Sequence, residues 1–175
     1  MDFIGYSEDD TDDEVINAVL EVNEPFIIKQ KCTVLSEEGE INFYWGCSNN
    51  CSGWINVEDL AICKDRDEWL DAWKVDPEGD DFLVVTQDKI VLEKSRTAEY
   101  SSEVKLAIGT VLKLVPEEEL PESIKERGTL NNYVVYLPTR DSEGNYVKKY
   151  ALISQHCDVH VGFVPLTQAM PGYGY

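Results

Sequence analysis

Residues 82–168 are a succession of short apolar runs broken at close intervals by Gly, Pro, Asn, Asp and Ser, and this alternation leaves few folds open to the chain. The runs read FLVVTQDKIVLEKS, LAIGTVLKLV, NYVVYLPTRD, YVKKYALIS and VHVGFVPLTQ. They are rich in Val, Ile, Leu, Tyr and Thr, the side chains that suit a pleated, half-buried surface. Val134, Tyr136 and Pro138 alternate with Val135 and Leu137, and Val159, Val161 and Phe163 alternate with His160, Gly162 and Val164. A period of two belongs to strands, because successive side chains point to opposite faces. The reading is five strands. A long connection over residues 93–105 follows the first, and PEEELPESIKERGTLNN separates the second from the third. Ser142, Glu143, Gly144 and Asn145 form a hairpin turn signal, and residues 155–158 a short polar joint.

Five strands, a long first loop over one open face and a closing GFVPLTQ strand are the layout of an SH3-like barrel. The stretches DFLVVTQDKIVLE, AIGTVLKLVP, NNYVVYLPTRDSEGNYVKK and VGFVPLTQA resemble the second bacterial SH3 (SH3b) domain that precedes the catalytic domain in secreted NlpC/p60 cysteine peptidases. CSGWINVEDLAICKDRDEWLDAW resembles the end of the first SH3b domain and the helical link between the two. The resemblance implies a mainly β chain, two small SH3-like barrels joined by a short Trp-bearing helix. It also implies a non-catalytic module that binds peptidoglycan stem peptide, or that docks on a peptidase domain and shapes access to its active site. The alternative is an intracellular, truncated or regulatory protein–protein interaction module with no wall ligand.

A chain of 175 residues has room for two barrels of roughly 60–80 residues. The expected organisation is an acidic N-terminal segment (1–24), a shortened first barrel (25–64), a linker helix (65–76), a second barrel (77–168) and a tail (169–175). Residues 15–22 read as a short helix capped by Asp12 or Asp13 and ended by Pro25, residues 26–35 and 41–47 as paired strands, and Ser52 onward as the next strand. In that strand Trp54 is expected to pack across the barrel and Gly53 to permit close approach. The first barrel looks short, which implies that it is incomplete or relies on the second for its core.

DRDEWLDAWK is the clearest helix. Asp65 or Asp67 caps it, acidic residues fill its first turn, and Trp69, Leu70 and Trp73 form one apolar face. Burial of two indoles at roughly 2–3 kcal/mol each makes it a wedge between barrels, with Trp54, Trp69 and Trp73 as the interdomain residues. Stacking of the two indoles on a sugar is the functional alternative.

With 34 acidic and 15 basic side chains the formal net charge is −19, which argues against nucleic acid as a partner and favours a neutral or cationic one. Solubility is the plainer meaning of that charge. No apolar run is long enough for a transmembrane helix, so membrane insertion is not expected. The sequence begins acidic, where a secretory leader begins basic, which points to the cytoplasm; the resemblance points to the cell wall or extracellular space. A monomer is expected.

No enzymatic activity is expected, because the catalytic Cys and His of an NlpC/p60 domain would follow the SH3b region and only seven residues follow Gln168. His156, Cys157 and His160 do not form a dyad. On a strand Cys157 opposes His156, and the two histidines lie about 13 Å apart. Cys47 and Cys51 have a C-x3-C spacing open to zinc or to a disulfide, but Cys32 and Cys63 are isolated; free, partly buried thiols are the state adopted, with no metal and no cofactor. The groove candidates are Tyr100, Glu99 and Glu103 on the long loop with Tyr133, Tyr136 and Tyr146, aromatic area beside acids that select a cationic end. One of Tyr133 and Tyr136 is expected to fill the core instead.

Overall fold

The computed structural model describes residues 20–37, 39–92, 104–120, 122–127, 129 and 131–163. The protein is mainly β. Its strands are β1 (Ile27–Ser36), β2 (Gly39–Cys47), β3 (Ser52–Asn56), β4 (Phe82–Val85), β5 (Lys89–Leu92), β6 (Val104–Ala107), β7 (Val111–Lys113), β8 (Asn132–Arg140), β9 (Tyr146–Ser154) and β10 (Val159–Val161). Among the described residues two α-helices, α1 (Arg66–Trp73) and α2 (Glu122–Arg127), lie between them.

β1, β2 and β3 form an antiparallel meander. The β-branched runs of IIKQKCTVLS and the aromatic INFYW segment favour strands, and Ser36 and Gly39 close the first hairpin, where the Ser36 hydroxyl donates to the Gly39 carbonyl at 3.0 Å. At the other hairpin Gly46 lies opposite Gly53. The sequence reading gave the close approach to Gly53, and this is corrected: a side chain there would meet nothing within 4 Å, whereas a Cβ on Gly46 would sit 2.2 Å from the Ile27 carbonyl oxygen.

The second part holds seven strands among the described residues, not five. FLVVTQDKIVLEKS divides into β4 and β5, and LAIGTVLKLV into β6 and β7. Turn residues interrupt each run: Gln87 and Asp88 in the first, and Gly109 in the second, whose φ of +88° suits only a residue without a Cβ. The sheets have the orders β10-β4-β7, β5-β6 and β8-β9, and a bridge between Leu114 and Val135 links β7 to β8. Among the described residues these sheets do not close into a barrel. β8 and β9 turn at residues 141–145, where the Asp141 carboxylate accepts from the backbone N–H of Glu143 and Asn145 and Gly144 takes a φ of +94°.

One core serves the molecule. Leu83, Leu106, Leu112, Val135, Leu137 and Ile153 are fully buried, and among the described residues every buried hydrophobic one lies between Phe82 and Ile153. Among the described residues the first sheet supplies none. It is fastened instead by a few bonds. Ile62 donates to the Gly144 carbonyl and accepts from Tyr146, both at 2.9 Å, Asn23 donates to the Val111 carbonyl at 3.0 Å, and Val22 packs on the core.

α1 begins as its sequence suggests. The Asp65 side chain accepts from Glu68 N–H at 2.9 Å, and the Glu68 carboxylate accepts from Lys64 N–H at 2.7 Å, so two orphan donors are satisfied reciprocally. Residues 20–22 are not helical; the rest of the helix expected over 15–22, with its caps, lies outside the described residues, as do 164–168 of the closing strand and the tail.

Candidate ligand cleft and aromatic shelf

The register of the β8–β9 hairpin decides which side chains share a face. Tyr136 pairs with Tyr150, Pro138 with Lys148 and Arg140 with Tyr146, so these six lie on one face; Val135, Leu137 and Ala151 occupy the other, in the core. Of the tyrosines read as groove residues, Tyr136 and Tyr146 therefore come together, while Tyr133 falls on the opposite face and packs against the core. Tyr100, Glu99 and Glu103 lie outside the described residues.

Asp71 of α1 meets this outer face. Its carboxylate lies 2.7 Å from Lys148 Nζ and 3.5 Å from Lys113 Nζ, and Lys113 also donates to the Asp71 carbonyl at 2.6 Å. Lys148 Nζ stands 4.5 Å from the centre of the Tyr136 ring, which lies 5.6 Å from the Tyr150 ring, and the Tyr136 hydroxyl donates to the Glu119 carboxylate. The result is an aromatic shelf whose cation is already paired. The Lys148 hydrogen bond holds the Asp71 carboxyl below the usual carboxylate range. Burial, then the Glu119 contact, pushes the Tyr136 phenol well above its ordinary value.

Beside the shelf lies a cleft of about 560 Å³. Ile28 and Ile55 of the first sheet form one wall, Trp69, Ala72 and Trp73 of α1 another, Pro138 and Tyr146 a third, and residues 20–26 run along it. Trp69 and Trp73, one helical turn apart, meet edge to face with centroids 5.3 Å apart. They are half-buried, not fully buried, because their faces line this space. The Trp73 indole N–H is buried and has no acceptor among the described residues. The charged residues of the lining are Glu21, Glu24 and Asp59, with no Lys or Arg. Tyr146, half-buried at the edge, has its phenol pushed up to about 12 by burial, with the electrostatic influence of Asp71, Cys63 and Glu68 adding to it.

Trp54 does not join Trp69 and Trp73. It pairs with Trp45 across β2 and β3 and is 38% exposed, on the face of the first sheet that also carries Ile27, Ile41 and Phe43. The expectation that it packs across a barrel is corrected for a physical reason: the cleft faces the other side of that sheet, through Ile28 and Ile55.

All five cysteines are half-buried and unbridged. Cys63 lines the cleft, where burial and then Glu68 and Asp65 raise its pKa, so it stays a protonated thiol and a poor nucleophile. Cys157 packs against the core, while His156 is exposed and His160 Nδ1 lies 3.4 Å from the Gly162 carbonyl. Among the described residues no three His, Cys, Asp or Glu side chains gather as a metal site, and no helix is long and apolar enough to cross a membrane. Sequence reasoning missed Asp71, Glu119, Tyr150 and the β1 and β3 isoleucines. Tyr150 was within reach from alternation with Tyr146 and Lys148; the others join the site only through contacts distant in sequence. Comparison of the chain with protein-family models and with curated proteins finds no match.

Proposed function

We propose that the chain is a non-catalytic recognition module of the bacterial SH3 kind, with a shortened first unit (25–64), a linker helix (65–76) and a fuller second unit (77–168). Its ligand in this reading is the peptidoglycan stem peptide, taken up in the cleft between the first sheet, α1 and the β8–β9 hairpin. The observation that carries the reading is strand order. β10 pairs antiparallel with β4, β4 with β7, and β7 bridges to the β8–β9 hairpin, while β5 and β6 flank the long loop. That order, with one long early loop and one tight hairpin, supports the reading, although among the described residues the sheets stay separate. An apolar concavity with a few polar groups is the common form of a binding site.

Co-sedimentation with purified peptidoglycan tests the wall ligand. Retention at low salt that is reduced by Trp69→Ala is expected; a protein that stays in the supernatant at every salt concentration removes it. A second reading, a protein–protein interaction module, is favoured by the outer face of the first sheet, where Ile27, Ile41 and Trp54 are exposed side by side with Phe43 and Trp45. A peptidase domain docked on this face would fall under that reading.

A further inference from the structure

We infer that the cleft between the first sheet, α1 and the β8–β9 hairpin is a site for an alkylammonium group, a lysine-type side chain with an apolar stem and a cationic end. The inference rests on the recognition-module reading above and specifies the chemistry of its ligand. Three features of the lining converge on it. The walls are apolar, through Ile28, Ile55 and Pro138, and would cover a methylene stem. Aromatic rings follow, Trp69 and Trp73 from α1 and Tyr146 from β9, whose faces attract a cation; indole does so best. The charge is of one sign, because Glu21, Glu24 and Asp59 are the charged side chains of the lining.

None of the three carboxylates is ion-paired among the described residues, in contrast to Asp71 nearby, which two lysines already occupy. Glu24 makes only long hydrogen bonds, from Glu21 N–H at 3.3 Å and from Asn50 at 3.4 Å. An anionic ligand would meet three like charges in a chain of net charge −19. A neutral ligand would leave the carboxylates unused. An ammonium satisfies the acids and the rings together, and its stem matches the walls.

The four tryptophans supply the test. The full chain, labelled with ¹⁵N at the indoles, is titrated at constant low ionic strength with n-hexylammonium chloride, n-hexanol and sodium hexanoate. Hexylammonium is expected to move the Trp69 and Trp73 indole signals saturably and leave Trp45 and Trp54 in place. Hexanol should bind about tenfold more weakly and hexanoate not at all. The triple variant Glu21→Gln, Glu24→Gln, Asp59→Asn should remove most of the ammonium's advantage over the alcohol, leaving only the part the rings supply, while the alcohol titration stays unchanged, which also shows that the cleft is intact. In the unaltered protein, added salt should weaken the ammonium and not the alcohol. Equal affinity for hexanol and hexylammonium, or a uniform shift of all four indoles, overturns the inference. Ammonium selectivity without retention on peptidoglycan upholds it and removes the wall ligand; retention without ammonium selectivity does the reverse.

Discussion

Replacing Gly46 by alanine should disrupt the first sheet, while the same change at Gly53, directly across from it, should be harmless. A Cβ on Gly46 would lie 2.2 Å from the Ile27 carbonyl oxygen and 2.6 Å from Phe26 Cε1. The phenyl ring can swing aside, but the carbonyl belongs to β1 itself. Carbon–oxygen contacts settle near roughly 3.3 Å, so β1 must retreat by about 1 Å. Overpacking of this kind costs about 1–3 kcal/mol, and one or two ladder hydrogen bonds lost beside the irregularity between Ile28 and Gln30 add about 1 kcal/mol each. The sum is about 2–5 kcal/mol. At Gly53 no atom lies within 4 Å, and alanine there reduces only the freedom of the unfolded chain, a gain of about 0.5 kcal/mol. Urea unfolding followed by tryptophan fluorescence should separate the two variants, and amide exchange should place the loss in β1 and β2. Equal unfolding midpoints for Gly46→Ala and Gly53→Ala, or a loss of protection confined to β8 and β9, would refute the reasoning.

Leu137→Ala, at a fully buried position, should cost about 2–5 kcal/mol, and Leu152→Ala, on the opposite face of the hairpin and 43% exposed, under about 1 kcal/mol, both read from urea midpoints. Asp71→Asn should destabilise by less than about 1 kcal/mol at neutral pH, because its ion pairs are largely exposed, and the loss should shrink with salt. Since the folded pKa of Asp71 is depressed, its contribution is present above the unfolded carboxylate value and disappears as pH falls through the folded one; unfolding midpoints of the two proteins should therefore converge at acid pH. In a spectrophotometric titration of the nine tyrosines, Tyr146 should ionise near pH 12 and Tyr136 later still, and Tyr146→Phe should remove one late component. Because both phenols have raised folded values, their neutral forms hold stability that is full below about pH 10 and is lost as the pH climbs toward the folded values.

The β8–β9 hairpin was legible in the sequence because alternation, a polar turn and a buried face all agree there. α1 was legible for a similar reason, with Asp65 and the acidic first turn marking its start. The division of two apolar runs into four strands was not, since QD and GT are weak punctuation inside continuous β-favouring sequence, and only pairing across the sheet fixes where each strand stops. Trp69 and Trp73 were placed correctly on one helical face, but what that face meets depends on Ile28, Ile55 and Pro138, contributions from three separate strands. Trp54 shows the limit most clearly. Its strand was identified, yet which side of a three-stranded sheet turns toward the rest of the molecule is a tertiary matter that alternation cannot decide.

The cleft owes its existence to an unequal partition of the core. Among the described residues all the buried hydrophobic ones lie within 82–153, so the first sheet shows no buried interior of its own there. The paired hydrogen bonds of Ile62 at the hairpin tip and the Asn23 bond to Val111 tie the segments flanking the first sheet to the second part, and the Asp71 ion pairs tie α1 to β7 and β9. Polar tethers fix the spacing of two surfaces without filling the space between them, and α1 then presents its indoles to that space and not to a core. A continuous apolar seam would have buried Trp69 and Trp73 completely and left no room for a ligand. The aromatic cleft with acidic lining residues, on which the proposed function depends, thus lies where the first sheet, α1 and the β8–β9 hairpin meet without sharing a buried core among the described residues.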